Sequence, residues 1–346
     1  MNNLRNAPAA ILMILTILLL IVGCGKLAEL EAGPIEPVFE KGHRAKIIPE
    51  VEEPEIEEPE IVPELPTGIL VVVDNYEAAR PQSGIDKADV VYEVMVEGGI
   101  TRYLALFYTE AAPAIGPVRS ARYYFVQLAK GMDLPIAHVG GSDDSLTMIG
   151  SLRVKDINEM TNAQSYFWQD WSRSRPHNTY TSTENLVKAV TNKQYAYKIP
   201  DLPPVAEEFT GSPLTDRQVN VTYVPSYTVQ WIWDETLGEG GQYRRHINYR
   251  AQSTADGSPM AADTIFIIAA ASRDQDTEPV ATTVDIVGGG GALCIVENKV
   301  IRGTWRKESA ERPLMFIDAA NAPMTRKQGK IWVQVVDRLE DVSFGR

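Results

Sequence analysis

The chain has few of the residues and segments that typify several common classes of protein. Its 346 residues include only two cysteines, Cys24 and Cys294, which argues against a fold held together by disulfide bonds. No basic stripe of the kind that contacts nucleic acid is visible, and there is no internal repeat. No segment carries a Walker lysine or a complete dinucleotide fingerprint. We therefore expect no nucleic-acid partner, and the sequence establishes no cofactor.

One long apolar run stands at the N-terminus, and no second membrane segment follows it. The run, residues 9–22, follows Arg5 and suits a signal peptide better than a membrane span, which needs about 20 residues. Gly23 before Cys24 fits a lipoprotein cleavage site, although an uncleaved anchor is the alternative. We predict a signal peptide over residues 1–23. Its removal would leave Cys24 lipidated, with acyl groups such as palmitate holding the protein on the extracytoplasmic face of the cytoplasmic membrane.

An acidic, proline-containing segment follows the predicted anchor. Residues 50–64 hold eight Glu and no Lys or Arg. Charge repulsion and proline stiffness favour an extended, solvated spacer, which we place at residues 24–66. These eight charges make up most of the formal net charge of -13 and leave -5 for all other residues. The acidic balance therefore describes the spacer and is no guide to what the folded part binds.

The pattern of apolar segments predicts two folded parts. Over residues 67–202, buried strands such as Ile69–Val73 alternate with helices, which indicates an α/β (or α+β) domain with a mixed buried sheet. Residues 203–346 are typical of a predominantly β domain, and the glycine run 288–291 predicts a turn between two of its strands. The predicted strands of this second part are 219–223, 227–233, 243–247, 264–270, 282–287, 292–296, 300–305, 314–317 and 331–336.

A buried β-hairpin with embedded charges is predicted in the first part. The Gly98-Gly99 turn sets the register. If Glu97 pairs with Ile100, then Met95 faces Arg102. In that register Arg102 lies diagonal to both Glu93 and Glu97. The charges then form either a cross-strand ion pair on a partly covered sheet face or the floor of a charged pocket.

Arginines are crowded at the start of the next predicted helix. Arg119 and Arg122 lie where the helix dipole and free N–H groups favour anions, so each arginine needs a partner. One interpretation is that nearby carboxylates neutralise these arginines, with Asp74, Asp89 and Glu97 as candidates. The other is that the site binds an anionic envelope ligand such as a phosphate, a pyrophosphate or a carboxylate.

Further candidates stand at the ends of other predicted elements. Asp74-Asn75 ends the first buried strand, where a functional site and a plain turn are both common. His138 lies near the end of another apolar strand, and Ser142 follows in a glycine turn whose N–H groups can face an oxyanion. His177-Asn178 closes a loop between aromatic residues. The full set of predicted ligand-binding residues is Arg102, Arg119, Arg122, Asp74, Asn75, Asp89, Glu93, Glu97, His138, Ser142, His177 and Asn178.

Several of these motifs resemble the YerB-like lipoproteins of Gram-positive bacteria, a family with a two-part domain of unknown function. The resemblance implies a two-part lipoprotein and brings no reaction, cofactor or catalytic residue with it. Gly303-Thr304-Trp305 is similar to the family's second part. In the first part the resemblance to this family is carried by the following motifs: Asp74-Asn75, Arg80-Pro81-Gln82-Ser83-Gly84, Ala88-Asp89, Glu93, Glu97-Gly98-Gly99-Ile100-Thr101-Arg102, Gly116-Pro117-Val118-Arg119-Ser120-Ala121-Arg122, His138-Val139-Gly140-Gly141-Ser142 and Pro176-His177-Asn178.

The order of elements is also similar to that of the LytR-CpsA-Psr phosphotransferases, which attach polymers to the cell wall from polyprenyl pyrophosphate carriers. That analogy implies a metal-assisted phosphotransferase or hydrolase acting on lipid-linked precursors. Asp74 and Asp89 would then hold Mg²⁺ or Mn²⁺ through oxygen ligands. The chain departs from that family by having Arg-Ser-Ala-Arg in place of an Arg-Asp pair.

Three functions follow from the sequence. The first is an anion-binding lipoprotein with Arg102, Arg119 and Arg122 as the clamp. The second is the metal-assisted enzyme. The third is a protein-interaction scaffold of the cell envelope, in which the same charges have only a structural role.

Overall fold

The computed structural model describes residues 64–162, 165–276 and 280–345, all of which fall in one compact unit. The predicted signal peptide, Cys24 and nearly all of the predicted spacer lie outside the described residues. None of the helices within those ranges is long and apolar enough to cross a membrane.

Strands dominate the part of the chain that the structure describes. The strands, in chain order, are β1 (Ile69–Asp74), β2 (Val90–Glu97), β3 (Ile100–Phe107), β4 (Ile136–His138), β5 (Asp156–Asn158), β6 (Trp168–Gln169), β7 (Thr179–Tyr180), β8 (Ser212–Pro213), β9 (Gln218–Val224), β10 (Tyr227–Asp234), β11 (Gln242–Ile247), β12 (Arg250–Ala251), β13 (Ala261–Ala262), β14 (Thr264–Ala269), β15 (Ser272–Asp274), β16 (Thr282–Val284), β17 (Gly288–Val296), β18 (Lys299–Lys307), β19 (Met315–Asp318), β20 (Ile331–Val336) and β21 (Val342–Phe344). The α-helices are α1 (Tyr123–Met132), α2 (Asp143–Leu152), α3 (Glu159–Asn162) and α4 (Thr183–Asn192), and short 3-10 turns occur at Glu77–Ala79, Ile85–Lys87, Thr215–Arg217 and Leu339–Asp341.

A mixed sheet of eleven strands runs through these described ranges. Its order is β19-β18-β17-β14-β20-β2-β3-β1-β4-β5, with β8 attached to β18. β20 lies between β2 and β14 and is parallel to both. The mixed α/β first part and the β-rich second part are thus confirmed. The predicted division between residues 202 and 203 stays a prediction, and the sheet takes strands from both sides of it.

Both faces of the large sheet are covered by apolar packing. All six residues of β1 are buried, as its unbroken apolar sequence predicts. Val71 and Val73 pack with Trp231 of β10 in one cluster, whereas Leu70 and Val72 pack with Phe125 of α1 in the other. Because side chains alternate along a strand, these two clusters lie on opposite faces of the sheet.

A second sheet covers one of these faces. Its order is β12-β11-β10-β9-β21, with β13 paired to β11. Its residues Trp231 and Tyr243 are fully buried and belong to the same cluster as Val71. The helix α4 adds Leu186 and Val190 to that cluster, while α1 and α2 cover the other face.

The predicted β-hairpin is present, but its register differs from the one expected. Glu97 pairs with Ile100 as predicted, and a bulge then shifts the register so that Met95 pairs with Thr101 and Val94 with Arg102. The expectation that Met95 faces Arg102 is therefore wrong. Since a one-residue shift exchanges the two faces of a strand, the bulge brings Glu97 to the face of Arg102 and leaves Glu93 on the opposite face.

The nine strands predicted for the second part all occur, with small changes at their ends. The glycine run is the exception, because Gly288 to Gly291 are the first residues of β17 and pair with β18. The predicted turn there is wrong. At Gly290, a Cβ atom would collide with the carbonyl oxygen of Ala269 and the indole of Trp305, so close strand packing explains glycine at this position.

A buried ion pair joins the two sheets. Arg245 of β11 donates from Nη2 to Glu93 Oε1 at 2.7 Å and to Oε2 at 3.0 Å, and both side chains are fully buried. The guanidinium also lies 5.5 Å and 5.2 Å from the ring centroids of Tyr103 and Trp332. Burial alone would lower the pKa of Arg245, but the Glu93 charge outweighs it and raises that pKa well above its usual value.

Four further donors complete the shell of the Glu93 carboxylate. Tyr227 and Thr101 donate to Oε1 at 2.9 Å and 2.8 Å. Trp332 and Gln334 each donate to Oε2 at 3.1 Å. A buried charge with so many donors is stable only while its charged partner remains.

Replacing Arg245 with Met should destabilise the protein by about 3–5 kcal/mol, the usual effect of leaving one buried charge unpaired. Equilibrium unfolding in urea measures this change. The double variant Glu93→Gln, Arg245→Met should recover part of the loss, because it removes both charges. If the Arg245→Met variant is as stable as the unmodified protein, the ion pair has no role in joining the sheets.

Candidate functional site

A pocket of about 390 Å³ opens where β1, the hairpin tip and the loop before β7 meet. It is lined by Asp74, Tyr76, Val96, Glu97, Gly98, Ile100, Arg102, Arg119, Pro176 and His177. Five of these residues belong to the ligand-binding set predicted from the sequence. We call this space the arginine pocket.

Strand pairing brings the charged residues of the arginine pocket together. Asp74 ends β1 and pairs directly with Arg102 of β3. On its other side the chain leading to Arg119 runs beside β1, because Asp74 N–H donates to Pro117 O and Arg119 N–H donates to Val72 O, both at 2.9 Å. Val118 in turn donates to Thr179 O at 2.7 Å, which holds the loop containing His177 against the same strand end.

Glu97 bridges two arginines. Its Oε1 accepts from Arg102 Nη2 at 2.8 Å, and its Oε2 accepts from Arg122 Nη2 at 2.7 Å. Arg102 is only 3% exposed, and its Nη1 donates to Ser120 O at 2.9 Å. The sequence prediction of an Arg102–Glu97 contact is therefore present in the structure, with Arg122 added to it.

Arg119 and His177 share the carboxylate of Asp74. Arg119 Nε lies 2.9 Å from Asp74 Oδ2, without the N–H direction of a hydrogen bond. His177 Nδ1 lies 2.7 Å from the same oxygen, and its ring stacks on that of Tyr76 with centroids 5.2 Å apart. Asp74 Oδ1 accepts from the Tyr76 N–H at 3.0 Å. Within the described ranges, Asp74 is the sole ion-pair partner of Arg119.

The charged cluster at the pocket holds more positive than negative charge. Three arginines, Arg102, Arg119 and Arg122, meet two carboxylates, those of Asp74 and Glu97. Arg122 reaches Glu97 from outside the pocket lining, so the surplus charge belongs to the cluster and the lining alone is balanced. Burial would raise the pKa of Glu97, but the charges of Arg102 and Arg122 outweigh it and lower that pKa below its usual value. Burial lowers the pKa of Arg102, and the neighbouring arginines act in the same direction, while Glu97 and Asp74 oppose them.

Asn75 is placed beneath the pocket and ties it to the core. Its side-chain oxygen accepts from Arg80 Nε and Gln82 Nε2, both at 3.1 Å. Its amide nitrogen donates to Thr101 Oγ1 and Tyr227 OH, both at 2.7 Å, and these hydroxyls contact Glu93. Asn75 is fully buried, so its contacts fix the end of β1 and leave no free polar atom for a ligand.

The other predicted site residues lie away from the arginine pocket. Asp89 accepts from the N–H groups of Tyr108 and Thr109 at 2.7 Å and 3.1 Å. His138 is buried, with its ring nitrogens 2.6 Å from Gly140 O and from an Asp156 carboxylate oxygen. Three others are also absent from the pocket lining, namely Glu93 in the buried ion pair, Ser142 at the start of α2, and Asn178, whose side chain is buried.

Asp74 and Asp89 are too far apart to share a metal ion. Asp74 pairs with Arg102 near the start of β3, and Asp89 caps the residues just beyond the end of β3. Arg102, beside Asp74, and Tyr108, beside Asp89, are six residues apart along the line of β3, which corresponds to about 20 Å. Across the described residues, there is no group of three or more His, Cys, Asp or Glu side chains able to hold a metal ion.

Sequence reasoning missed the apolar and supporting residues of the site. Tyr76, Val96, Ile100 and Pro176 line the pocket, and Arg80 and Gln82 position Asn75. The segment from Arg80 to Gly84 had a signal in the sequence, since it is one of the motifs that carry the family resemblance. Arg245 had no such signal in the sequence, because its partner Glu93 lies more than a hundred residues away in the chain.

Comparison with known proteins supports the resemblance found in the sequence. Residues 55–196 match the model described as the N-terminal domain of a protein of unknown function (DUF3048), and residues 219–333 match the model for its C-terminal domain. The chain is 31% identical over 282 residues to the "Putative lipoprotein YerB" of Bacillus subtilis (strain 168), covering 80% of this chain and 83% of that protein. The crystal structure of YerB protein from Bacillus subtilis is similar with a TM-score of 0.71 and 31% identity, covering 81% of this chain and 94% of that one.

The Glu97 bridge should stabilise the protein in a pH-dependent way. Its lowered pKa means that the stabilisation is present above the ordinary carboxyl pKa and is lost as the pH falls through the folded-state value. Glu97→Gln should therefore lower the free energy of unfolding at pH 7 by about 1–3 kcal/mol. The difference from the unmodified protein should disappear in acid, as thermal unfolding between pH 7 and pH 3 will show.

A matched control is Glu308→Gln. Glu308 pairs with Arg306 at 3.0 Å in an exposed ion pair, and such surface pairs contribute little. If the Glu97 and Glu308 variants behave alike at every pH, the bridge is not a stabilising element.

Proposed function

Because the chain belongs to the YerB-like DUF3048 family, we propose that it is a lipid-anchored protein of the cell envelope whose arginine pocket binds an anionic ligand. The ligand class is a phosphate, a pyrophosphate or a carboxylate. The observation that carries this proposal is a cluster of three arginines on two carboxylates at an open pocket, into which Arg102 and Arg119 face.

The lipid anchor is supported by the sequence and by the relative's name. Cys24 follows an apolar run and a small residue, as lipoprotein signals require, and the similar protein of Bacillus subtilis is named a lipoprotein. The proposal places the folded part on the extracytoplasmic face of the membrane, with the acidic segment as a spacer. The membrane is then a partner through Cys24 and its acyl groups.

Anion binding at the arginine pocket is supported by the exposure and the partners of its arginines. Arg119 is 22% exposed in its side chain and has a single carboxylate beside it. The Nε of Arg102 is buried without a hydrogen-bond partner among the described residues, and the Nε of Arg119 faces Asp74 Oδ2 at 2.9 Å without hydrogen-bond geometry. Arg119 is thus partly exposed and shares its one carboxylate with His177, which supports a site for a ligand that accepts hydrogen bonds. Phosphate and carboxylate oxygens suit guanidinium groups well.

The metal-assisted phosphotransferase has less support. Its two proposed ligands, Asp74 and Asp89, lie at opposite ends of β3, and both oxygens of Asp74 already have partners. The protein-interaction scaffold becomes the favoured function if the pocket fails to bind any anion.

Arg119→Gln should weaken anion binding while leaving the fold intact. Pyrophosphate should raise the melting temperature of the unmodified protein in the presence of EDTA. The variant should bind it about ten- to a hundredfold more weakly, because one charge-assisted hydrogen bond contributes about 1.5–3 kcal/mol. Calorimetric titration measures the affinity, and the melting temperature without ligand checks the fold.

Arg306→Gln serves as the control, because Arg306 is an exposed arginine in a surface ion pair. Binding that needs Mg²⁺ or Mn²⁺ would favour the enzyme instead. Equal responses of both arginine variants to pyrophosphate would contradict binding at the arginine pocket.

Cys24→Ala should release the protein from the membrane or leave it as an uncleaved precursor. In cells that are fed labelled palmitate, the unmodified protein should carry the label and the variant should not. Cys294→Ala is the matched control, because Cys294 is a buried thiol in β17. Labelling that survives the Cys24 change would rule out this residue as the anchor.

A further inference from the structure

The arginine pocket has two chemically different regions. Asp74 and Arg102 lie deep, with 2% and 3% exposed, whereas the side chains of Arg119 and Glu97 are 22% and 21% exposed. The apolar side chains of the lining are Val96, Ile100, Pro176 and Tyr76. Val96 is buried, and Tyr76 is 45% exposed, which places it at the rim. A ligand that enters therefore contacts charged groups on one side and the apolar surface of Ile100, Pro176 and Tyr76 on the other.

The pocket is too large for a simple anion. Its volume is about 390 Å³, and each water occupies about 30 Å³ in the liquid. Inorganic phosphate displaces only a few waters and would leave most of the apolar wall wetted. Small-molecule sites commonly have this volume, with mainly apolar walls and a few placed polar groups.

The apolar wall is held in place before any ligand arrives. Ile100 and Val96 flank the Gly98-Gly99 turn, whose positive φ angles of 59° and 75° suit glycine. Gly98 N–H donates to Val280 O at 3.2 Å, and Gly99 packs closely on Val224 of the second sheet. Tyr76 is supported by its stack on His177. A preformed wall loses little entropy on binding.

Building on the proposed anion site, we propose that its ligand is an amphipathic anion, a phosphate monoester or carboxylate that carries an apolar substituent. The anionic head contacts Arg119 and Arg102. The substituent lies against Ile100 of the hairpin tip and against the exposed face of Tyr76.

Four probes test this inference by calorimetric titration of the full chain in detergent, with titration into detergent alone subtracted. They are inorganic phosphate, hexyl phosphate, phenyl phosphate and hexanol. At least one organic phosphate should bind about tenfold or more tightly than inorganic phosphate, since burial of two or three CH₂ groups is enough for that gain. Hexanol should bind far more weakly. Tighter binding of hexyl phosphate would indicate that the ligand's apolar substituent is a flexible chain. Tighter binding of phenyl phosphate would indicate a planar ring.

Two variants locate the effect. Ile100→Ser should weaken binding of the better organic phosphate about fivefold and leave inorganic phosphate within about twofold, because it changes only the apolar wall. Tyr76→Ala is the second wall variant, and thermal melting checks both folds. Ile199→Ser, which changes an exposed apolar residue outside the pocket lining, should change neither affinity. Arg119→Gln should weaken both phosphates.

The outcomes separate the two proposals. If inorganic phosphate and both organic phosphates bind equally, the amphipathic ligand is wrong and the anion site stands. If hexanol binds as tightly as hexyl phosphate, the anionic head has no role, and both proposals fail. Both also fail if no probe binds.

Discussion

The ion pair between Glu93 and Arg245 is fully buried, and it connects the two main sheets of the described residues. It joins the large sheet to the second sheet through two charges that are removed from water. Buried ion pairs do not by themselves guarantee stability, because desolvation opposes the attraction. What this pair adds is a unique fit, since Glu93 also accepts from Tyr227 of β10 and Trp332 of β20. With Arg245 of β11 and Thr101 of β3, donors from four strands in two sheets must be in place before the carboxylate is satisfied.

The same network reaches the arginine pocket through one residue. Asn75 donates to Tyr227 and Thr101, which both donate to Glu93, and it follows Asp74 directly in the chain. The position of Asp74 is thereby linked to the packing of the second sheet. This link, together with the strands that carry Asp74, Glu97 and Arg102, holds the charged groups of the pocket at fixed distances, as binding requires.

Local features of the fold were predictable from the sequence, and distant contacts were not. The apolar run of β1 and the glycine turn of the hairpin follow from period and turn chemistry, and both are observed. The bulge near Val96 leaves no mark in the sequence, yet it decides which carboxylate meets Arg102. Arg102, Arg119 and Arg122 were identified because charge within an apolar segment needs a partner. Arg245 was not, because its partner depends on how the two sheets pack.

The place of β20 in the sheet has a consequence for how the protein is made. β20 is synthesised after β2 and β14, but it fills the gap between them. Until it arrives, each of those strands has an open apolar edge, of the kind that recruits other chains. The large sheet can therefore become continuous only after residues 331–336 have been synthesised, so almost the whole chain is needed before its two halves join.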